Sequence, residues 1–498
     1  MKKIRAIIIG SQVFMFLLLY TSCTKQDLNQ VPISSISTTS FWKTQADANG
    51  GLYGMYSLFR TQAAHNHYIF GELRSEIFGP SPFGTAGYEQ YFNNTMNSSN
   101  VSPSYPANIT TWQNLYTVIN HANLLLKYVP NISYTSETTK KSTLAQAYAM
   151  RAFVYYMMVR TWGDLVIRTE PIEKVDISLQ KERSPKAEVF KLIKADIEAA
   201  ITNFPDNTMP SGRNTWSLAG VNALKADVYL WTGKLLGGGA ADFNVALSAC
   251  DAVATADVAL LPDFVSIFNY GNKGNKEIIM ASYLHHLESV TNIYQYMTLA
   301  ANTTFATLDE ESKKALAGLG GLTYLAPTAL VTNQFSSDDQ RTTASFVNVY
   351  TISSTGVRNF HVTTPVKFRG APGFGAYDDI VLYRYADVLL MRAEAKNALG
   401  QDPSSDINMV RQRAYKTNYS SHVFVNGTQA QNDVAILQER LFELIFEGKR
   451  WWDLVRFNQA FNIVPSLKTQ PTATHLLLWP ISLSTLSIEP KVKQNPGY

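Results

Sequence analysis

The sequence predicts a mainly α-helical protein in which helical hairpins of the tetratricopeptide kind scaffold long irregular loops with a few short strands. Three observations predict it. Apolar residues recur at spacings of three and four through five successive segments. A small-residue pattern ending in glycine occurs twice. The stretches between the helical blocks are long and irregular, the first rich in Asn, Ser, Gly and Pro, yet their many tyrosines and phenylalanines argue against disorder.

In chain order, Lys2, Lys3 and Arg5 precede an apolar run over residues 7–19 and then Thr21-Ser22-Cys23. This is the layout of an export signal, and the run is too short to cross a bilayer comfortably. A signal that ends at cysteine is read by bacterial lipoprotein processing, so residues 1–22 are assigned as a signal peptide and Cys23 as the lipidated first residue. An ordinary secretion signal is the alternative, because Tyr20 stands where the usual box has leucine, with Leu19 displaced by one. The first helical stripe is Trp112, Leu115, Ile119, Ala122 and Leu126, and the second is Leu144, Ala147, Tyr148, Ala152, Tyr155, Val159 and Trp162. Val189, Ile193, Ile197, Ala200 and Phe204 form the third. Leu218, Val221, Leu224, Val228 and Trp231 form the fourth, and Phe243, Ala246, Cys250 and Val253 the fifth. Five amphipathic helices in succession need one another for burial. The segments ADVYLWTG and AEAKNALG each place Ala (Ala226, Ala393) seven residues before a glycine (Gly233, Gly400). That suits hairpins in which small residues allow close approach and glycine caps the helix. Residues 65–110 and 264–377 are the irregular stretches, the second with short alternating runs. The division that follows is 1–22 signal, 23–263 an N-terminal helical region, and 264–498 a C-terminal region with variable loops and closing helices.

Losing Lys2, Lys3 and Arg5 with the signal takes the formal charge from +4 to +1. Without clustered Lys and Arg, nucleic acid is not an expected partner. With Cys23 lipidated, Cys250 stands alone and stability rests on packing. No HExxH, G-x-S-x-G or phosphate-loop motif occurs, and the glycines at 318–321 lack a following Lys-Ser/Thr. For His65 with His67 and for His285 with His286, solvated loop histidines are the simpler reading than a metal site. Asp378-Asp379 and Asp309-Glu310-Glu311 read as helix N-terminal charges. Glu439, Arg440, Glu443, Glu447, Arg450, Asp453 and Arg456 look like an active site, but their spacing reads as a ladder of ion pairs along one helix. Neither an enzyme, nor a cofactor, nor a metal is called for.

The block QERLFELIFEGKRWWDLVRFN, preceded by YRYADVLLMRAEAKNALG and DINMVRQRA and followed by the terminal QNPGY, resembles the SusD/RagB family of Bacteroidetes outer-membrane lipoproteins. FWKTQADA, WQNLYTVINHANLLL, AQAYAMRAFVYYMMVRTWGD and WSLAGVNALKADVYLWTGK extend the resemblance over nearly the whole chain. It implies four tetratricopeptide-like hairpins carrying an irregular ligand face. It also implies a lipid anchor in the outer membrane, and a lid role on a SusC-like TonB-dependent outer-membrane transporter. Glycans are the cargo in most of the family and peptides in the RagB branch. The acidic cluster that often follows the lipidated cysteine is reduced here to Lys25 and Asp27, so surface exposure is less firmly implied than lipidation.

Sugar binding needs flat rings to stack on pyranose C–H groups, and polar side chains for the hydroxyls. All eight Trp fall in the family-like framework and read as core, which leaves the loop Tyr and Phe. The family builds its binding face from segments that map onto 68–100 and 270–305. The ligand-binding residues expected there are Phe83, Tyr88, Tyr91, Phe92 and Asn93 in the first, and Tyr283, Tyr294 and Tyr296 in the second. A surface glycosidase or a helical scaffold protein is the competing class, and the former would need two carboxylates held across a cleft.

Overall fold

The computed structural model describes residues 41–498, apart from Thr85, 102–111, 175–178, Ser289, 299–305 and 317–320. The signal segment and Cys23 therefore lie outside the described residues. The chain enters through α1 (Gln45–Leu58). Thr44 starts this helix with a capping box: its hydroxyl accepts from Asp47 N, and Asp47 accepts from Thr44 N at 2.7 Å. A five-residue π-turn (Phe59–Ala63) joins α1 to α2 (Ala64–Glu72), which is buried along its whole length.

Eight further helices then pair. They are α3 (Gln113–Tyr128), α4 (Glu137–Trp162), α5 (Lys186–Asn203), α6 (Leu218–Leu235), α7 (Gly239–Ala254), α8 (Tyr385–Ala398), α9 (Ser404–Tyr415) and α10 (Gln429–Leu444). Each of the five predicted stripes lies on α3 to α7. Packing runs α3 on α4, α5 on α6, α7 on α8 and α9 on α10, with α4 also on α5 and α6 on α7, so the pairs stack as repeats. The third pair, α7 with α8, is split by the long segment 255–384. That insertion carries most of the irregular structure and leaves the repeats to hold it from both sides.

Polar caps fix the helix starts: Ser136, Ser217 and Thr428 each accept from a backbone N–H of the first turn. The two glycine-ended repeats serve different purposes. Gly400, at φ +73°, follows the end of α8 as expected of a cap. Gly233 instead lies inside α6, where a Cβ would meet the Phe243 ring at 2.4 Å. It is a site of close helix approach, not a terminator.

The strands are few and paired antiparallel: β1 (Phe78–Pro80) with β3 (Leu325–Pro327), β2 (Ile278–Ser282) with β6 (Ile380–Arg384), and β4 (Phe346–Ile352) with β5 (Arg358–Pro365). One hydrophobic core runs from Ala48 to Val492 and draws on both sides of the 263/264 boundary. Seven of the Trp are buried (112, 162, 216, 231, 451, 452 and 479), and Trp42 stacks on Tyr128 at 5.5 Å, so the indoles are framework. Cys250 is buried and unpaired. No helix among the described residues is long and apolar enough to cross a membrane.

The charged C-terminal block is structural, but it is not a ladder on one helix. The helix α10 ends at Leu444, and α11 (Arg450–Arg456) begins after a turn in which Phe446 and Gly448 take positive φ. The charges are buried and pair across elements. Arg341 meets Asp339 at 2.7 Å, Glu439 at 2.7 Å and Glu443 at 3.1 Å; Arg384 meets Glu277, Glu443 and Glu447 at 2.6–2.8 Å. Arg440 joins Asp387 to Asp453, and Arg456 joins Glu394 to Asp453. Burial pushes the Glu443 carboxyl up, but Arg413, Arg384 and Arg341 outweigh it and hold the group well below the usual carboxylate range. This network ties α8, α10 and α11 to the strands of the insertion.

Candidate functional site

The cleft that best combines exposed rings with free polar groups begins on α1. Ala48, Gly51, Leu52 and Met55 turn inward, which leaves Tyr53, Ser57 and Arg60, four and then three residues apart, on the opposite face. Tyr53 is 70% exposed. The facing wall is the end of β2, Ser282 and Tyr283, and the floor is Asn214 and Thr215 before α6. Together they enclose about 240 Å³. Tyr56 locks the wall in place: its hydroxyl donates to Gln146 Oε1 at 2.8 Å and accepts from Trp216 N at 2.8 Å, and burial pushes its phenol up. At one end of the cleft Arg60 pairs through Nη1 with Glu288.

From Tyr283 a series of rings continues over the surface. Tyr283 lies nearly parallel to His285 at 6.0 Å, His285 is 4.3 Å from His286, and His286 stacks on Phe374 at 4.0 Å. Phe374 is 62% exposed. The ammonium of Lys273 sits 4.3 Å from the Tyr270 ring centre and 5.1 Å from that of Tyr283, held by Asp379 at 2.6 Å. Phe374 is presented by a tight loop whose closure requires glycine, because a Cβ at Gly370 (φ +79°) would lie 2.4 Å from Gly375 O. Asp378 secures that loop by accepting from Gly370 N at 2.6 Å and from Gln295 Nε2 at 3.0 Å; burial pushes its carboxyl up to about 7.

Of the expected ligand-binding residues, the structure brings Tyr283 to this cleft. Tyr88, Tyr91 and Tyr294 are corrected to core residues. They are 0%, 0% and 1% exposed, Tyr91 stacks on Trp479 at 5.0 Å, and Tyr294 stacks on Tyr68 at 4.1 Å. A ring enclosed on both faces has none to offer a ligand. Phe92 packs half-buried against the same core. Phe83 meets His361 edge-on at 5.2 Å over a small satellite core. Asn93 is exposed after the turn Glu89–Phe92. Tyr296 falls in the helix Ile293–Thr298, and its side chain lies outside the described part.

His65 and His67 are not loop residues but buried in α2, their Nε2 atoms 3.1 Å from Thr291 O and 3.0 Å from Glu447 O. Asp378 and Asp379 precede β6 and anchor loops rather than start a helix; Asp309 does cap one, accepting from Ser312 N. Among the described residues no group of three or more His, Cys, Asp or Glu is placed to hold a metal ion. Tyr53, Arg60, Asn214 and Phe374 were missed in the sequence, although the helical period of α1 already sets Tyr53 and Ser57 opposite its apolar stripe.

No carboxylate lines the cleft, and Glu288 at its border is engaged by Arg60, so the pair that glycoside hydrolysis requires is not found there among the described residues. Fold and cleft describe a helical-repeat scaffold that carries an aromatic-lined cleft. The chain belongs to the SusD family. Residues 370–498 match the model described as the SusD family, and residues 52–230 match one described as starch-binding associating with outer membrane. The solved structure of B. fragilis NanU is similar, with 32% identity, a TM-score of 0.83, and coverage of 94% of this chain and 100% of that one. The SusD-like protein P38 of Formosa agariphila is 28% identical over 100% of both chains. The starch-binding protein SusD of Bacteroides thetaiotaomicron is 30% identical over 24% of this chain and 22% of its own length.

Proposed function

We propose that this protein is a non-catalytic outer-membrane lipoprotein that captures oligosaccharides and, as a lid, passes them to a SusC-like TonB-dependent transporter. Cys23 carries the lipid anchor once residues 1–22 are removed. The observation that carries the reading is the cleft between Tyr53 and Tyr283. Two tyrosine rings there line the cleft together with the polar side chains of Ser57, Asn214, Thr215 and Ser282. Rings of this kind stack on the apolar faces of sugars, while hydroxyl and amide side chains replace the water that sugar hydroxyls give up. The starch-binding family description and the starch-binding relative support a glycan as cargo.

Lid closure follows if the ligand touches both lid and transporter, because a ligand shifts a conformational equilibrium only by its differential affinity for the two states. A glycan array run beside a peptide pull-down with the mature protein tests the cargo. Binding of glycans and not peptides is expected; peptide capture with an empty array would replace the cargo. Co-purification of a TonB-dependent transporter with the full-length protein from membranes tests the partner, and recovery of the lipoprotein alone would remove it from the account.

A further inference from the structure

Arg60 is the cation bordering the cleft, and the way it is held points to a class of sugar. Its side chain is 20% exposed and is fixed in the π-turn between α1 and α2. Its one ion-pair partner among the described residues is Glu288, contacted through Nη1, while the buried Nε of the same guanidinium has no hydrogen-bond partner. A guanidinium and a carboxylate satisfy each other best side by side through two parallel N–H···O bonds, and Glu288 meets this guanidinium at Nη1 alone. Glu288 is the more exposed member of the pair. It lies on the turn after His286, 41% exposed, rather than in a helix. The carboxylate that Arg60 holds beside the cleft is thus supplied by the protein.

We infer that Glu288 stands in for a carboxylate of the ligand, and that the cleft takes a carboxylated sugar unit, such as a uronic acid, whose acid group displaces Glu288 from Arg60. The inference rests on the glycan reading above and narrows it. The cleft volume of about 240 Å³ is below the roughly 300–1,000 Å³ of pockets that engulf drug-sized ligands, so it suits one sugar unit rather than a buried chain. Tyr53 and Tyr283 then supply the stacking faces, and Arg60 supplies selectivity. Glu288 sets the threshold, since a neutral sugar gives Arg60 nothing in exchange for it.

The experiment is a calorimetric comparison of uronate-bearing oligosaccharides with their carboxyl-reduced counterparts, the pairs chosen from the array to span several linkages. Wild type is expected to prefer the carboxylated member of a pair, and more weakly as salt is raised. Arg60→Gln should lower affinity for that member by about 10- to 100-fold, the contribution of a charge-assisted hydrogen bond, and collapse the preference. Arg60→Lys, which keeps the charge without the fork, should restore part of it. Glu288→Gln should raise affinity for the carboxylated member, an effect that a purely structural ion pair would not produce. Equal or tighter binding of the reduced sugars overturns the inference and leaves glycan capture standing, as does a loss of affinity in Glu288→Gln. Failure to bind any glycan sinks both. Melting temperatures of the variants separate misfolding from lost contact.

Discussion

Replacing Glu443 by Gln removes one negative charge from the centre of the molecule while keeping its shape. Its Oε1 accepts from Arg384 Nη1 at 2.6 Å and from Arg413, and its Oε2 accepts from Arg341 Nη1 at 3.1 Å. All four side chains are at most 4% exposed, so water cannot take over. Arg384 retains Glu277 and Glu447, Arg341 retains Asp339 and Glu439, and Arg413 retains Glu277, so no cation is stripped bare. The network nevertheless gains one unbalanced positive charge, and the new amide N–H₂ faces guanidinium donors. Breaking a buried pair in this way costs about 3–5 kcal/mol. At about 2.1 cal/mol/K of unfolding entropy per residue, a chain of this length loses roughly 1 °C of Tm per kcal/mol, giving a drop of about 3–5 °C. Scanning calorimetry of the mature protein reads this directly, with Glu188→Gln, whose pairing with Lys191 is exposed, as the control expected to stay within about 0.5 kcal/mol. If Glu443→Gln melts with the control, the network contributes nothing and the reading of the charged block as framework is wrong.

Tyr91→Ala should cost about 3–5 kcal/mol by opening a cavity beside Trp479, whereas Tyr53→Ala should leave stability within about 0.5 kcal/mol; urea titration distinguishes them. Gly71→Ala places a Cβ 1.8 Å from Gly448 O, backbone against backbone, and should cost about 3 kcal/mol or more, read as lost soluble yield. Gly50→Ala, whose Cβ would lie 3.8 Å from Phe41, should be neutral or mildly stabilising. Two buried carboxyls should also make stability fall on either side of about pH 4.5. Burial pushes the Glu394 carboxyl up, but Arg456 and Lys234 outweigh it and hold it at about 2, so its contribution is present above about 4.5 and lost as pH falls toward 2. Burial pushes Glu72 up to about 8 against the N–H groups of Gly448 and Phe446 that it accepts, so its contribution is present below about 4.5 and lost as pH rises through 8. Melting temperatures from pH 3 to 9 in Glu72→Gln should lose the decline between about 4.5 and 8 and keep the one at lower pH.

The helices were legible because each buries one face against a neighbour, and a spacing of three and four is what such burial leaves in a sequence. The same logic identified the Trp as core. It failed on the C-terminal charges, where regular spacing continued through a break at Phe446 and Gly448 that only backbone conformation reveals. It also failed on the site. Tyr88, Tyr91 and Tyr294 lie in or beside single short turns of helix within long connecting segments, and composition does not say which aromatic residues such a segment folds inward. Here Tyr294 of the insertion packs on Tyr68, and Tyr91, ahead of the helical repeats, packs on Trp479, so both rings become part of the core. Tyr283 was legible as an aromatic residue in the segment that the family resemblance maps to the binding face, and it follows directly on β2. Tyr53 carries no loop signature, because it stands on the exposed side of α1, which lines the cleft opposite Ser282 and Tyr283.

The most direct test of the account is titration calorimetry of the tightest-binding glycan from the array against wild type, Tyr53→Ala/Tyr283→Ala, and a control bearing Phe360→Ala on the distant hairpin β4–β5. Loss of binding in the Tyr53/Tyr283 double variant, with an unchanged melting curve and with affinity kept in the control, is the predicted result. Full affinity in the double variant would place the ligand elsewhere on the molecule and contradict the account.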